Sequence, residues 1–243
     1  MKTKGLNTNQ LKYIAIAAML IDHIGWKFLD FHTPIGFLAR VIGRLTIPIM
    51  CYFIAEGYNK TSDVKRYASR LFIFAVISHI PYVYLANGRL PASVTEFAAN
   101  VFDTSVMWPL FLALIALIVR NSSKLNGLLK TVIIVLLCGL AFFADWMFFP
   151  IVWAIVFDSF KGEPKKQMVW FAATAIPIML LEPVVYLING YGFVGASFFQ
   201  FGLLIAIVPL MMYNGERGKS RLSKWVFYIF YPLHLLVLAL IKS

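Results

Sequence analysis

Residues 183–215 read PVVYLINGYGFVGASFFQFGLLIAIVPLMMYNG and contain no Lys, Arg, Asp or Glu. Residues 225–241, WVFYIFYPLHLLVLALI, repeat the pattern, with His234 as their only histidine or charged side chain. A membrane span needs about 20 mostly apolar residues rising ~1.5 Å each, and both stretches supply them. Water does not solvate such runs, so lipid is the solvent they imply. Working outward, apolar runs fall near 11–29, 34–56, 66–86, 104–119, 127–143, 146–159, 168–188, 193–213 and 222–241. These predict an all-α, polytopic transmembrane helical bundle of about nine spans in the cell (cytoplasmic) membrane. The stretch 127–160 reads either as two short spans turning at Asp145-Trp146 or as one long helix with a re-entrant piece.

Composition agrees. Of 243 residues, 60% are apolar and 14% charged, and mean hydropathy is +0.78. A soluble domain carries roughly 25% charged residues. The net charge of +11 raises nucleic acid as a partner, but the basic residues sit in short connectors, where they set membrane orientation. With the N-terminus cytoplasmic, Lys2, Lys4, Lys12, Lys60, Lys65, Arg66, Arg70, Arg120, Lys124, Lys130, Lys161, Lys165, Lys166, Arg217, Lys219, Arg221 and Lys224 all fall inside. Of the 22 Lys and Arg, only Lys27, Arg89 and Lys242 are left outside, with Arg40 and Arg44 within a span. A wrong span count would scramble this alternation, so the expected topology is N-terminus in and C-terminus out. No internal repeat or linker divides residues 1–243, which predicts a single domain. The apolar stretch near the start holds Asp22 and His23 and does not read as a cleavable signal peptide.

The polar residues within the spans carry the functional signal, because a charge in hydrocarbon costs ~2.5–3.5 kcal/mol on the lenient insertion scale. From the cytoplasmic ends of their spans, His23 lies about 12 residues in, His79 about 13, Glu182 about 14 and His234 about 12, or ~17–21 Å of rise. Arg40 and Arg44 are four apart and share a helix face. Asp22 and His23, as neighbours, point about 100° apart. Each has a plainer reading beside the functional one. A buried histidine can simply hydrogen-bond across a bundle, and Glu182 precedes Pro183, where a proline kink frees backbone groups that it could satisfy. Two arginines in lipid demand buried acceptors under either reading. Glu56 and Asp63 sit among Lys60, Arg66 and Arg70 as an interfacial cluster.

Lys12 is followed by ten residues and then His23, K-YIAIAAMLID-H. This spacing resembles the basic-x10-His signature of integral-membrane O-acyltransferases of the acyltransferase-three type. The longer stretches LKYIAIAAMLIDHIG (11–25), GRLTIPIMCYFIAEGYNKTSDVKRYASRLFIFAVISHIPY (43–82) and YPLHLLVL (231–238) resemble the TraX family, which includes the conjugative pilin N-acetylase. The resemblance implies transfer of an acyl group, acetyl from acetyl-CoA, to an acceptor at the outer face. No loop carries a pilus-specific feature, so a peptide, a glycan or a lipid-linked glycan all fit as acceptor. His23 is then the expected general base, since neutral imidazole suits that task near pH 7; a covalent acetyl-histidine is the variant. Arg44, and secondarily Arg40, would face the oxyanion or hold the donor. Glu182 or Asp22 would orient the histidine or engage the acceptor. Lys12, Lys60, Lys65, Arg66 and Arg70 are candidates for the phosphates of coenzyme A, although the positive-inside rule alone also places basic residues there. His79 and His234 are candidates for substrate binding.

Other signals carry less. Gly190-Tyr-Gly-Phe-Val-Gly195 spells G-x-G-x-x-G, but it lies in an outside turn with no strand before it, and a dinucleotide fingerprint needs that strand. Asn59-Lys-Thr61 and Asn121-Ser-Ser123 match the glycosylation pattern on the wrong side of the membrane. Cys51 and Cys138 read as core hydrophobes, and no metal-ligand spacing occurs. The loop 87–103 reads as either a partly helical cover or a solvated connector. Two other functions compete with acyl transfer: a secondary transporter or exporter with a midplane His/Glu/Arg site, and a scaffold for an envelope assembly.

Overall fold

The computed structural model describes residues 5–93, 95–96, 100, 103–190, 195–218 and 223–242. Lys2, Lys4, Lys219 and Arg221 of the orientation count, Val94, Phe97, Val101 and Phe102 of the outer loop, and the centre of the glycine motif (191–194) lie outside the described residues. The described elements are helical apart from one parallel bridge between Leu6 and Tyr213. Among the described residues, three stretches are long and apolar enough to cross a membrane: Pro34–Lys60, Val64–Asn87 and Pro164–Ile188. The chain divides into two compact units, Met1–Met50 with Gly162–Phe227, and Cys51–Lys161 with Tyr228–Ser243.

In the first unit, α1 (Thr8–Phe28) opens on a capping box. The Asn7 side chain accepts from the backbone of Asn9 and Gln10, and Gln10 accepts from Asn7 N–H at 3.0 Å, so orphan donors of the first turn are satisfied. Its buried residues Leu11, Ala15, Ala18, Met19 and His23 follow the helical repeat on one stripe. The helix packs on α2 (Pro34–Gly43), where Gly25 lies against Ala39 closely enough that a Cβ would sit 2.6 Å from the Ala39 methyl. The sequence predicts one helix over 34–56; the structure breaks it at Arg44-Leu45 before α3 (Thr46–Lys60) resumes. The physical reason is Pro48, which has no N–H to donate to the carbonyl four residues back, at Arg44. Next come α8 (Pro164–Ile188), the 3₁₀ segment Gly195–Ala206 and α9 (Ile207–Met211). The N-terminus is strapped to the chain that follows α9: Leu6 N–H donates to the Met212 carbonyl and Thr8 N–H to that of Glu216, both at 2.8 Å.

In the second unit, α4 (Val64–Asn87), α6 (Gly127–Ala141) and α7 (Phe149–Ser159) all pack on α5 (Met107–Arg120). That explains why α5 is apolar around most of its circumference, with Leu110, Ala113, Leu114, Ala116 and Leu117 fully buried. The stretch 127–160 resolves into two helices. Their turn holds Trp146 and Met147 at positive φ (67° and 49°), and Asp145 N–H anchors it to the Thr104 carbonyl at 2.9 Å. Much of α6 faces outward with bare hydrocarbon, Leu128 being 77% exposed. The last helix, α10 (Ser223–Lys242), begins in the first unit and ends in the second.

A polar staple ties three helix ends of this unit together. The Asp158 carboxylate, 7% exposed, accepts from Arg120 at 2.8 Å, Asn59 at 2.8 Å and Asn121 at 3.1 Å. Lys161 donates to Asn59 Oδ1 at 2.9 Å. The two asparagines that matched a glycosylation pattern therefore serve a buried carboxylate. Replacing Asp158 with alanine should cost about 1.5–3 kcal/mol, because hydrogen bonds to a charged acceptor are lost together. A fall in the thermal unfolding midpoint in detergent is the readout; an unchanged midpoint would contradict the staple.

The loop that follows α4 is clasped. Arg89 donates twice to Glu96, at 2.9 and 3.0 Å, and Ala92 N–H donates to the same carboxylate at 2.8 Å. Asn87 closes the base by donating to Asn100 at 3.0 Å. The hydrogen bonds from Arg89 and Ala92, with the guanidinium charge, pull the Glu96 carboxyl down from 4.5 to about 2. A depressed carboxyl stabilises the closed form above its free value and loses that contribution as pH falls through the bound value. Exchange protection of the Ala92 amide should thus persist below pH 4.5 and vanish only near pH 2, and Glu96→Gln, which keeps an acceptor but no charge, should make it weaker and independent of pH over that range.

Candidate active site

The residues singled out from the sequence divide between the two units, and the densest group lies in the first. Asp22 on α1 receives both arginines of α2. Arg44 donates to its two carboxylate oxygens at 2.7 Å each, and Arg40 donates to Oδ1 at 2.8 Å. The side chains are 14% exposed for Asp22, 6% for Arg44 and 18% for Arg40, so the triad is largely withdrawn from its surroundings. Their i, i+4 spacing sets both guanidinium groups on the face toward α1, and Arg44 Nε donates back to the Arg40 carbonyl at 3.2 Å. Gly43 lies directly against the Asp22 side chain, where any Cβ would collide with it. The absence of a side chain at 43 is what lets the carboxylate reach the pair.

A third element completes the group. Phe199, 4% exposed on the 3₁₀ segment, presents its ring to both cations, with the Arg44 and Arg40 guanidinium carbons 5.0 and 5.2 Å from its centroid. Phe31 packs edge-on against the same ring at 5.3 Å. The 3₁₀ segment comes this close because Gly202 rests against the Val41 carbonyl of α2, with no room for a methyl. Glu182, half-buried on α8, is coupled electrostatically to Arg44 and Arg40.

His23 is buried one residue further along α1, within electrostatic range of Asp22, Arg40 and Arg44. Its Nδ1 lies 2.8 Å from the Met19 carbonyl. A carbonyl only accepts, so Nδ1 carries the proton, and in the neutral ring Nε2 carries the lone pair. Trp26 stands edge-on to the imidazole at 6.1 Å. The ring is thus oriented by its own helix backbone, while Asp22 serves the arginines. Lys12 lies on the same unbroken helix. Eleven residues bring it back to within about 20° of the same face, ~16 Å from His23 along the axis; the basic-x10-His spacing therefore defines one helical stripe.

The second unit holds the remaining candidates. Lys60 pairs with Glu56 at 2.7 Å and Arg66 with Asp63 at 3.5 Å. Lys65 is exposed, and Arg70 lies over the Tyr67 ring, 5.6 Å from its centroid. His79 lines a cleft of about 220 Å³ with Ile80, Val83, Leu90, Pro91 and Asn100. His234 Nδ1 bonds the Phe230 carbonyl at 2.9 Å, and its ring stacks on Phe230 with centroids 4.8 Å apart. His23 and His234 thus share one device, an imidazole pinned in one tautomer by the carbonyl four residues back.

Residues 7–242 match the family model described as TraX protein. The chain belongs to the TraX family. A curated relative, the probable fimbrial assembly protein FimC, serogroup H1, of Dichelobacter nodosus, is 30% identical over 234 residues, covering 96% of this chain and 94% of that one. An uncharacterized protein of Rickettsia prowazekii (strain Madrid E) is 39% identical over 70 residues, 29% of this chain and 25% of its own. No solved structure matches. The TraX match spans the whole Asp22–Arg40–Arg44–Phe199 group as well as His23.

Proposed function

We propose that this TraX protein is a multi-pass acyltransferase of the cell membrane. It moves an acetyl group from cytoplasmic acetyl-CoA to an amine or hydroxyl acceptor at the outer face, a peptide, glycan or lipid-linked glycan. Residues 1–243 form a single acyltransferase domain of about nine spans, N-terminus in and C-terminus out, in keeping with the charge alternation of the connectors. The observation that carries the reading is the juxtaposition of a tautomer-locked histidine on α1 with an arginine pair at the end of α2, Arg44 buried and Arg40 partly so. The fimbrial assembly role in the relative's name is compatible with an envelope polypeptide as acceptor.

His23 Nε2 takes the proton from the attacking amine or hydroxyl as that group adds to the thioester carbonyl. The carbonyl oxygen gains the negative charge, and the guanidinium groups of Arg44 and Arg40, already held in place, stabilise it. As the carbon–sulfur bond breaks, the imidazolium returns its proton to the departing thiolate. Asp22 keeps the two cations together, and Glu182 engages the acceptor. Lys12, on the same helical stripe as His23, meets the coenzyme A phosphates. Purified protein incubated with radiolabelled acetyl-CoA and membrane extract tests this directly. Labelled product should form with wild type and not with His23→Ala. No product from wild type would sink the reading, and equal product from both would remove His23 from it.

A further inference from the structure

Two guanidinium groups share one carboxylate among poorly solvated side chains, and like charges this close repel. Asp22 binds both cations at one edge. The face of Phe199 supplies a second attraction, since the quadrupole of an aromatic ring draws cations within about 6 Å of its centroid. Both arginine carbons meet that criterion on the same ring.

The backbone form of residues 195–206 explains why this ring, among 22 phenylalanines, does so. A 3₁₀ helix turns three residues per turn, so positions i and i+3 eclipse. Phe199 and Gly202 therefore share one face, and the Gly202–Val41 contact aims Phe199 at the turn of α2 that bears the arginines. A second stripe at the same interval, Ser197, Gln200, Leu203 and Ala206, is buried throughout, so the packing itself has period three. In an α-helix the ring would rotate by about 60° relative to Gly202 and leave the pair. Runs of 3₁₀ helix longer than three or four residues are uncommon, and this one has 12.

We propose that Phe199 is the positioning residue of the arginine pair, holding both guanidinium groups against its face so that their shared positive charge points at one spot. The proposal rests on the acyl-transfer reading for its consequence and on the ring geometry for its existence, and the two parts are tested separately. Incorporating mono-, di- and trifluorophenylalanine at position 199 withdraws charge from the ring face with little change in volume. Transfer of labelled acetyl should fall stepwise along the series, by roughly tenfold at its end, and Phe199→Leu should fall as far. In parallel, arginine side-chain NMR of the detergent-solubilised protein should show the Arg40 and Arg44 resonances displaced by the ring current in wild type and relaxed in Phe199→Leu. A flat fluorine series with active wild type overturns the positioning role while leaving the function intact. If wild type transfers nothing, the function falls, and the arginine spectra alone decide whether the ring holds the pair; spectra identical in both proteins overturn it.

Discussion

Replacing His23 with glutamine should slow acyl transfer by about 10²–10⁴-fold, the range that a positioned general base contributes. Glutamine keeps a polar, hydrogen-bonding side chain on α1 and is an adequate helix former, so the fold should survive. What it lacks is a lone pair able to accept a proton near neutral pH. The Nδ1 contact with Met19 is local to α1 and orients the ring, so the loss of that hydrogen bond by itself should cost the fold little. The signature of the proposed general base is a collapse of kcat with little change in KM for acetyl-CoA, since such a base acts in the transition state and not in donor binding. His23→Ala should in addition recover part of its rate with added imidazole if the vacated space admits the ring. A KM effect without a kcat effect would make His23 a binding residue and move the base elsewhere.

The sequence and the structure agree best where one physical variable decides the outcome. Hydrophobic runs located the helices to within a few residues, and the largest error at a start is instructive. The run read as 168–188 belongs to a helix that starts at Pro164. Lys165 and Lys166 hide its first turn from a hydropathy count, although long basic side chains sit comfortably at a membrane surface. The turn at Arg44-Leu45 lies inside an apolar run that hydropathy reads as continuous. The 3₁₀ form of residues 195–206 left no trace, because apolarity reports burial and not helical pitch. Within the candidate site, the shared face of Arg40 and Arg44 followed from their spacing alone. Their partner did not. Adjacent helical residues diverge by about 100°, which separated Asp22 from His23 in the sequence, but only the fold shows the carboxylate meeting Arg40 and Arg44. Phe199, 155 residues after Arg44 in the chain, could not be told from the other aromatic residues until the backbone contact at Gly202 had brought its helix there. Asn59 and Asn121 show the converse: a pattern match pointed to one chemistry, and a buried carboxylate supplied another.

Asp22→Ala should destabilise the protein by about 3–5 kcal/mol, the cost of removing one partner from a buried ion pair. Three charge-assisted hydrogen bonds end on this carboxylate. Its removal takes the shared carboxylate away from two neighbouring cations where little water can reach them, while the Phe199 ring stays against both. Stability alone cannot be the reason for such an arrangement, because well-packed apolar side chains in place of a buried ionic triad are often neutral or stabilising. The triple substitution Asp22→Leu, Arg40→Met, Arg44→Met should therefore recover most of the midpoint lost in Asp22→Ala. It should recover none of the acyl transfer, since the positive charge facing the developing oxyanion would be gone. Thermal unfolding in detergent and labelled transfer, run on the same three proteins, separate these outcomes. Should the triple variant remain as unstable as Asp22→Ala, the triad is a structural keystone; should it be stable and still transfer acetyl, the arginines have no part in the chemistry. Recovered stability with abolished transfer is the combination expected of charges kept for catalysis against the interest of the fold.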